Sequence, residues 1–133
     1  MCIRDRSREL VGEIKAADVI VIGSPMYNFT VPSTLKAWID HVAIAGQTFK
    51  YGASGPQGLL TGKAYLALSS GGVYSQGPFA PNEHLATYLT AVLGFLGISD
   101  IEVVWAEGVA YGPEQDAAAM SAARTQIEAL VAA

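Results

Sequence analysis

Asp18-Val-Ile-Val-Ile-Gly23 is a continuous run of β-branched residues closed by a glycine. A strand with one wet face alternates apolar with polar residues. A run without that alternation fits a strand buried on both faces, as in a parallel sheet between helices. Two further stretches fit the same part, Ala64-Tyr-Leu-Ala-Leu68 and Ile101–Ala106. The segments around them have helical spacing. Ser7 can cap a helix running through Leu10, Val11 and Ile14 to Ala17. Ser33 to about Ala45 sets Leu35, Trp38, Ile39 and Val42 on one stripe before Gly46. Glu83–Leu96 does so with Leu85, Tyr88, Leu89, Val92, Leu93 and Leu96. Pro113 opens an Ala-rich helix whose stripe is Met120, Ala123, Ile127, Leu130 and Val131. Thr48–Gly62 has turn chemistry throughout. The order α-β-α-β-α-β-α predicts an α/β domain with a parallel sheet, right-handed crossovers and helices on both faces.

Composition narrows the function. The chain has 133 residues, enough for one domain, of which 51% are apolar and 15% charged, the reverse of a disordered segment. Eight basic against twelve acidic residues give −4, and the five basic residues from Lys15 to Arg124 are scattered, which argues against a nucleic-acid surface. No apolar run reaches the roughly 18–20 residues that span a bilayer. The single cysteine, Cys2, excludes an internal disulfide framework and a cysteine-based metal cluster. Residues 1–8 hold three of the eight basic residues and no apolar signal region, and read as a leader foreign to a domain over 9–133. An ordinary frayed helix start is the alternative.

In open parallel sheets ligands bind beyond the carboxyl ends of the strands. Loops Ser24–Pro32, Ser69–Asn82 and Glu107–Pro113 all leave such ends. The first, Gly23-Ser-Pro-Met-Tyr-Asn-Phe29, sets a thioether, two rings and a carboxamide side by side, which suits a flat amphipathic ligand. A loop folding its own aromatics back onto the sheet would read the same way. The second begins Ser69-Ser-Gly-Gly72 and continues to Tyr74; its glycines let backbone N–H groups approach a ligand. There is no Gly-x-Gly-x-x-Gly or phosphate-loop motif and no Gly-x-Ser-x-Gly elbow. His41 and His84 lie in predicted helices without ligand partners at metal spacing, and Trp38 and Trp105 read as packing. No catalytic acid, base, nucleophile or metal ligand emerges. Chemistry that needs none from the protein is cofactor chemistry.

Taken together, Pro25-Met-Tyr-Asn-Phe29, Thr48-Phe-Lys-Tyr51, Gly58-Leu-Leu-Thr-Gly-Lys63, Ser69-Ser-Gly-Gly72, Leu93-Gly-Phe-Leu-Gly-Ile98 and Ala106-Glu-Gly-Val-Ala-Tyr-Gly-Pro113 closely resemble the FMN-dependent NADH-azoreductase family of flavodoxin-like quinone reductases. The resemblance runs from about residue 9 to the C-terminus. It implies a flavodoxin-like, doubly wound parallel sheet, a homodimer and a cytoplasmic enzyme. It assigns Met26, Tyr27, Asn28, Phe29, Ser69, Ser70, Gly71 and Gly72 to FMN, and Tyr51 and Tyr74 to the substrate side of the flavin. Relatives often carry Arg at the position of Ser70. The implied mechanism is ping-pong, hydride passing from NADH to the flavin and two electrons then to a quinone or azo compound. The family opens with two strands and a Ser-rich phosphate loop, so the resemblance also implies an N-terminally truncated fold with the first two strands missing. In the order 2-1-3-4-5 that leaves Asp18–Gly23 as an exposed apolar edge. Two competing readings are a flavin-free, non-catalytic interaction domain and an NAD-binding dehydrogenase, the latter without its glycine fingerprint.

Overall fold

In the computed structural model, which describes residues 2–133, the chain runs α1 (Ile3–Ala16), β1 (Val19–Pro25), α2 (Ser33–Val42), β2 (Phe49–Gly52), β3 (Gly55–Gly58), β4 (Lys63–Ser70), α3 (Ala86–Leu96), β5 (Asp100–Glu107) and α4 (Pro113–Ala132). Strands β1, β4 and β5 form a parallel sheet in that order, with Val19 opposite Lys63 and Lys63 opposite Asp100. This is the predicted parallel architecture, and β1 is its edge strand. No helix of the described residues is long and apolar enough to cross a membrane.

The register decides which side chains share a face. Ile22, Leu66 and Val103 stand in one row, and Ala64 and Leu68 lie on the same face of β4. Against that face pack Ile14 of α1, Ile39 and Val42 of α2, and Leu89, Leu93 and Leu96 of α3. Each fully buried aliphatic side chain there contributes about 1.5–3 kcal/mol relative to exposure. Among the described residues the opposite face receives only α4, whose Ala123 and Leu130 meet Val104 and Ala106. The expected α4 stripe is therefore only partly covered: Ala123 is buried, whereas Met120, Ile127 and Val131 are exposed. The reason is width. A helix about 10 Å across covers about two strands spaced about 4.8 Å apart, and β1 is the third. Val21 is 69% exposed, and an apolar trough of about 490 Å³ runs between Val19, Val21, Tyr65 and Ala67 on one side and Ile127 and Leu130 on the other.

Several boundaries differ from the sequence reading. Residues 48–62 are not turn throughout, because β2 and β3 pair antiparallel, Phe49 opposite Gly58. The Phe49 and Phe95 rings pack at a tilt with centroids 4.7 Å apart, and a Cβ on Gly58 would fall inside the backbone of Leu96 and Gly97, so the hairpin is seated on the end of α3. Helix α2 ends at Val42 instead of Ala45. The buried Thr48 hydroxyl donates to the Val42 carbonyl at 2.6 Å and accepts the Ile44 N–H at 3.1 Å, an alternative partner for groups a continuing helix would need. Helix α3 begins at Ala86, not Glu83, because the Glu83 carboxylate accepts the N–H groups of Leu85 and Ala86 at 2.7 and 2.6 Å from outside the helix. Helix α1 begins at Ile3, and Ser7, instead of capping it, bonds His41 of α2 at 2.8 Å. Met1, the first residue of the expected leader, lies outside the described residues.

Candidate functional site

The carboxyl ends of the three parallel strands meet at one edge, where Pro25 stands opposite Ser69 and Ser70 opposite Glu107. The first two loops are bonded at their roots: the Met26 N–H donates to the Ser69 carbonyl at 2.8 Å. The Met26 side chain packs against the core. Tyr27 and Thr30 then exchange two backbone hydrogen bonds of 3.0 Å, closing a two-residue turn with Asn28 at φ 48° and Phe29 at φ 73°. Both central residues are left-handed, a geometry that favours Asn-Gly. Asn tolerates it, but Phe is strained there. A distant segment holds the turn in place. The His84 N–H donates to the Phe29 carbonyl at 2.9 Å, and the Thr30 hydroxyl donates to the His84 carbonyl at 2.8 Å. His84 thus acts through its backbone, just outside α3. The turn leaves Tyr27 60% and Phe29 47% exposed, which decides against aromatics folded back onto the sheet. Strain of this kind concentrates at working sites.

The second and third loops are zipped together. Gly108 N–H donates to Gly72 O at 3.1 Å, and Ala110 N–H to Gly71 O at 3.2 Å. The buried Ser70 turns its hydroxyl onto Gly72 O at 2.8 Å, so it shapes the loop. A side chain on Gly72 would press on Tyr74 and Tyr111 at 3.1 and 3.3 Å, and one on Gly71 would meet Ala110 at 3.3 Å. None of these bonds uses the N–H groups of Gly71 or Gly72. Beyond them, one oxygen of Glu107 accepts the N–H groups of Tyr74 and Ser75 at 2.8 and 2.7 Å, and the other accepts the Ser75 hydroxyl at 2.5 Å. The Tyr74 ring lies 6.1 Å from Phe29, edge to face, and 6.4 Å from Phe79.

The structure therefore brings Tyr27, Asn28, Phe29, Ser69, Ser70, Gly71, Gly72 and Tyr74 to one edge. It does not bring Tyr51 there. Helix α2 carries the chain back to the amino edge, where the β2–β3 hairpin is rooted by the Leu60 N–H donating to Leu96 O at 2.9 Å, and Tyr51 is 72% exposed on that hairpin. Glu107, Phe79 and the His84 backbone were not singled out as site residues from the sequence. The one signal available was a carboxylate at a strand's carboxyl end, Glu107 before Gly108. Beside the turn, a groove of about 560 Å³ is lined by Tyr27, Asn28, Thr30, Lys36 and Tyr88. Its cation is engaged, because the hydrogen bond that the Lys36 ammonium donates to Asp40 at 2.8 Å holds it above an ordinary lysine's range. The edge thus offers exposed ring faces, a carboxamide and backbone donors, a surface for a planar amphipathic ligand.

A family model described as flavodoxin-like fold matches residues 3–131. An FMN-dependent NADH:quinone oxidoreductase of Rhizobium etli is 56% identical over 128 residues, 96% of this chain and 63% of that protein. One from Agrobacterium fabrum is 51% identical over 130 residues, 97% of this chain and again 63% of its own length. Among solved structures, an FMN-dependent NADH-azoreductase from Bacillus anthracis in complex with FMN has a TM-score of 0.84 at 33% identity, covering 96% of this chain and 63% of that one. The chain spans just under two thirds of the length of these relatives.

Proposed function

This chain belongs to the flavodoxin-like fold family, and from that premise we propose that its carboxyl-edge loops bind the isoalloxazine ring of FMN in an FMN-dependent NADH:quinone oxidoreductase, with azo compounds as further acceptors. The observation that carries the reading is the Met26–Ser69 bond. It sets the strained Asn28-Phe29 turn against the Ser69–Gly72 loop, so that outward-facing rings and backbone donors share one surface. Those residues fit a flat ring that needs an apolar face and hydrogen bonds at its rim. Met26, Tyr27, Asn28 and Phe29 with Ser69, Ser70, Gly71 and Gly72 would hold it, Met26 and Ser70 by shaping the loops and the others by contact. Bound there, FMN supplies two-electron transfer between NADH and a quinone or azo acceptor, chemistry that protein side chains lack. The chain's part is to orient the ring and to present Tyr74 beside it. Tyr51 stands at the other edge, so a substrate role for it requires a second copy, and we propose the homodimer on that ground. NADH as donor goes with a cytoplasmic location.

Stacking on one or two rings contributes about 1–3 kcal/mol each, and neutral hydrogen bonds about 1 kcal/mol apiece. A total of about 4–6 kcal/mol predicts a Kd of about 0.04–1 mM for these contacts alone. Titrating the chain into FMN and following flavin fluorescence tests this. Saturable quenching that is lost in Tyr27→Ala, together with NADH oxidation by a quinone at excess FMN, is expected. No saturable quenching up to several millimolar chain would refute the reading and favour a flavin-free interaction domain.

A further inference from the structure

We propose that Glu107 is the positioning residue of the ring-binding site and acts through Tyr74, an inference that rests on the flavin reading above. Three donors from two consecutive residues, Tyr74 and Ser75, converge on its carboxylate. Charge-assisted bonds of this kind are shorter and stronger than neutral ones. They matter here because of what lies on either side. The backbone zipper between the second and third loops stops at Gly72, and among the described residues Glu107 is the only hydrogen-bond partner of residues 73–76. The two glycines at the root of that segment are fixed by their bonds to Gly108 and Ala110, but those bonds do not reach the residues beyond Gly72. Glu107 closes that segment back over the sheet edge, and the Tyr74 ring is thereby set edge-on to Phe29, the strained and half-exposed ring of the opposite loop. Glu107 reaches this spot because it ends β5 opposite Ser70. One carboxylate therefore couples the positions of both walls of the site.

The chemistry predicts a graded series. A glutamine keeps one carbonyl oxygen for the two N–H groups and loses the charge, whereas an alanine leaves both N–H groups without a partner. The test uses the full 133-residue chain with Glu107→Ala and Glu107→Gln, reading amide hydrogen exchange at Tyr74 and Ser75 and FMN affinity by fluorescence. In Glu107→Ala the two amides should exchange more than about tenfold faster and the Kd for FMN should rise about tenfold, as loss of bonds to a charged group implies. Glu107→Gln should restore much of both. In a Tyr74→Ala background, Glu107→Ala should add nothing to the Kd, the mark of a residue acting through another. Unchanged exchange at Tyr74 and Ser75, faster exchange with an unchanged Kd, or a fully additive penalty in the Tyr74→Ala background would each overturn the inference while FMN binding stands. A wild-type chain that binds no FMN would instead defeat the flavin reading, and with it the site that Glu107 is said to position.

Discussion

Replacing Phe29 by alanine and, separately, by glycine isolates the strain stored in the first loop. Both changes remove the same ring. Phe29 is 47% exposed, so about half of a phenylalanine's area, about 100 Å², is buried and contributes about 2.5 kcal/mol, which either variant loses. The backbone separates them. At φ 73° an L-residue costs about 1–2 kcal/mol that glycine avoids. Glycine's extra freedom in the unfolded chain costs about 0.5–1 kcal/mol relative to alanine. The difference leaves Phe29→Gly more stable than Phe29→Ala by about 0.5–1 kcal/mol, the reverse of the usual order. In urea unfolding followed by circular dichroism, the glycine midpoint should lie about 0.4 M higher. Flavin quenching should fall equally in both, because both lack the ring. An alanine variant more stable than the glycine one by about 0.5–1 kcal/mol, the margin that glycine's unfolded-state freedom alone gives, would show that position 29 carries no left-handed strain and would refute the braced turn.

Gly58→Ala should unseat the β2–β3 hairpin, because the new Cβ would meet the backbone of Leu96 and Gly97 and no flexible side chain can yield. A loss of more than about 2 kcal/mol in thermal unfolding is expected from such overpacking, and an unchanged midpoint would refute the seating. Val21→Lys places a charge on the bare edge strand, and should raise the concentration at which the chain stays monomeric in sedimentation, with stability changed by less than about 0.5 kcal/mol. Asp40→Asn tests the Lys36 pair. The folded lysine is raised above its unfolded value, so its contribution is present at neutral pH and is lost as pH climbs past the lysine range. Wild type and variant should converge at strongly alkaline pH, and their gap at neutral pH should be small because both side chains are exposed. A gap that widens with alkali would reverse the sign and refute the assignment.

The parts of the fold legible in advance were those that depend on local pattern. The run Val19–Ile22 has no polar residue, and the strand it forms pairs parallel with β4. Leu85, Leu89, Leu93 and Leu96 recur at helical spacing, and all four are buried. The candidate loops were legible for the same reason, since strand direction alone puts them at the carboxyl edge. The hairpin at residues 49–58 was not. Its three glycines look like turns until Phe49 finds Phe95 and Gly58 finds a backbone that tolerates no side chain.

By itself the sequence determined the order of helices and parallel strands, the stripes of α2 and α3 that fill the core and the edge at which the candidate loops lie, because apolar spacing has only one way to leave water at each of these elements. The tertiary structure alone decided how the loops are held. Thr30 meets His84 across 54 residues, and Tyr74 meets Glu107 across 33. It also decided that Tyr51 stands at the opposite edge and that α4 leaves β1 bare. A hydrogen-bond acceptor has no periodicity to betray it. Its partner is whatever the sheet register and the helix widths bring within 3 Å, and those distances exist only once the chain is folded.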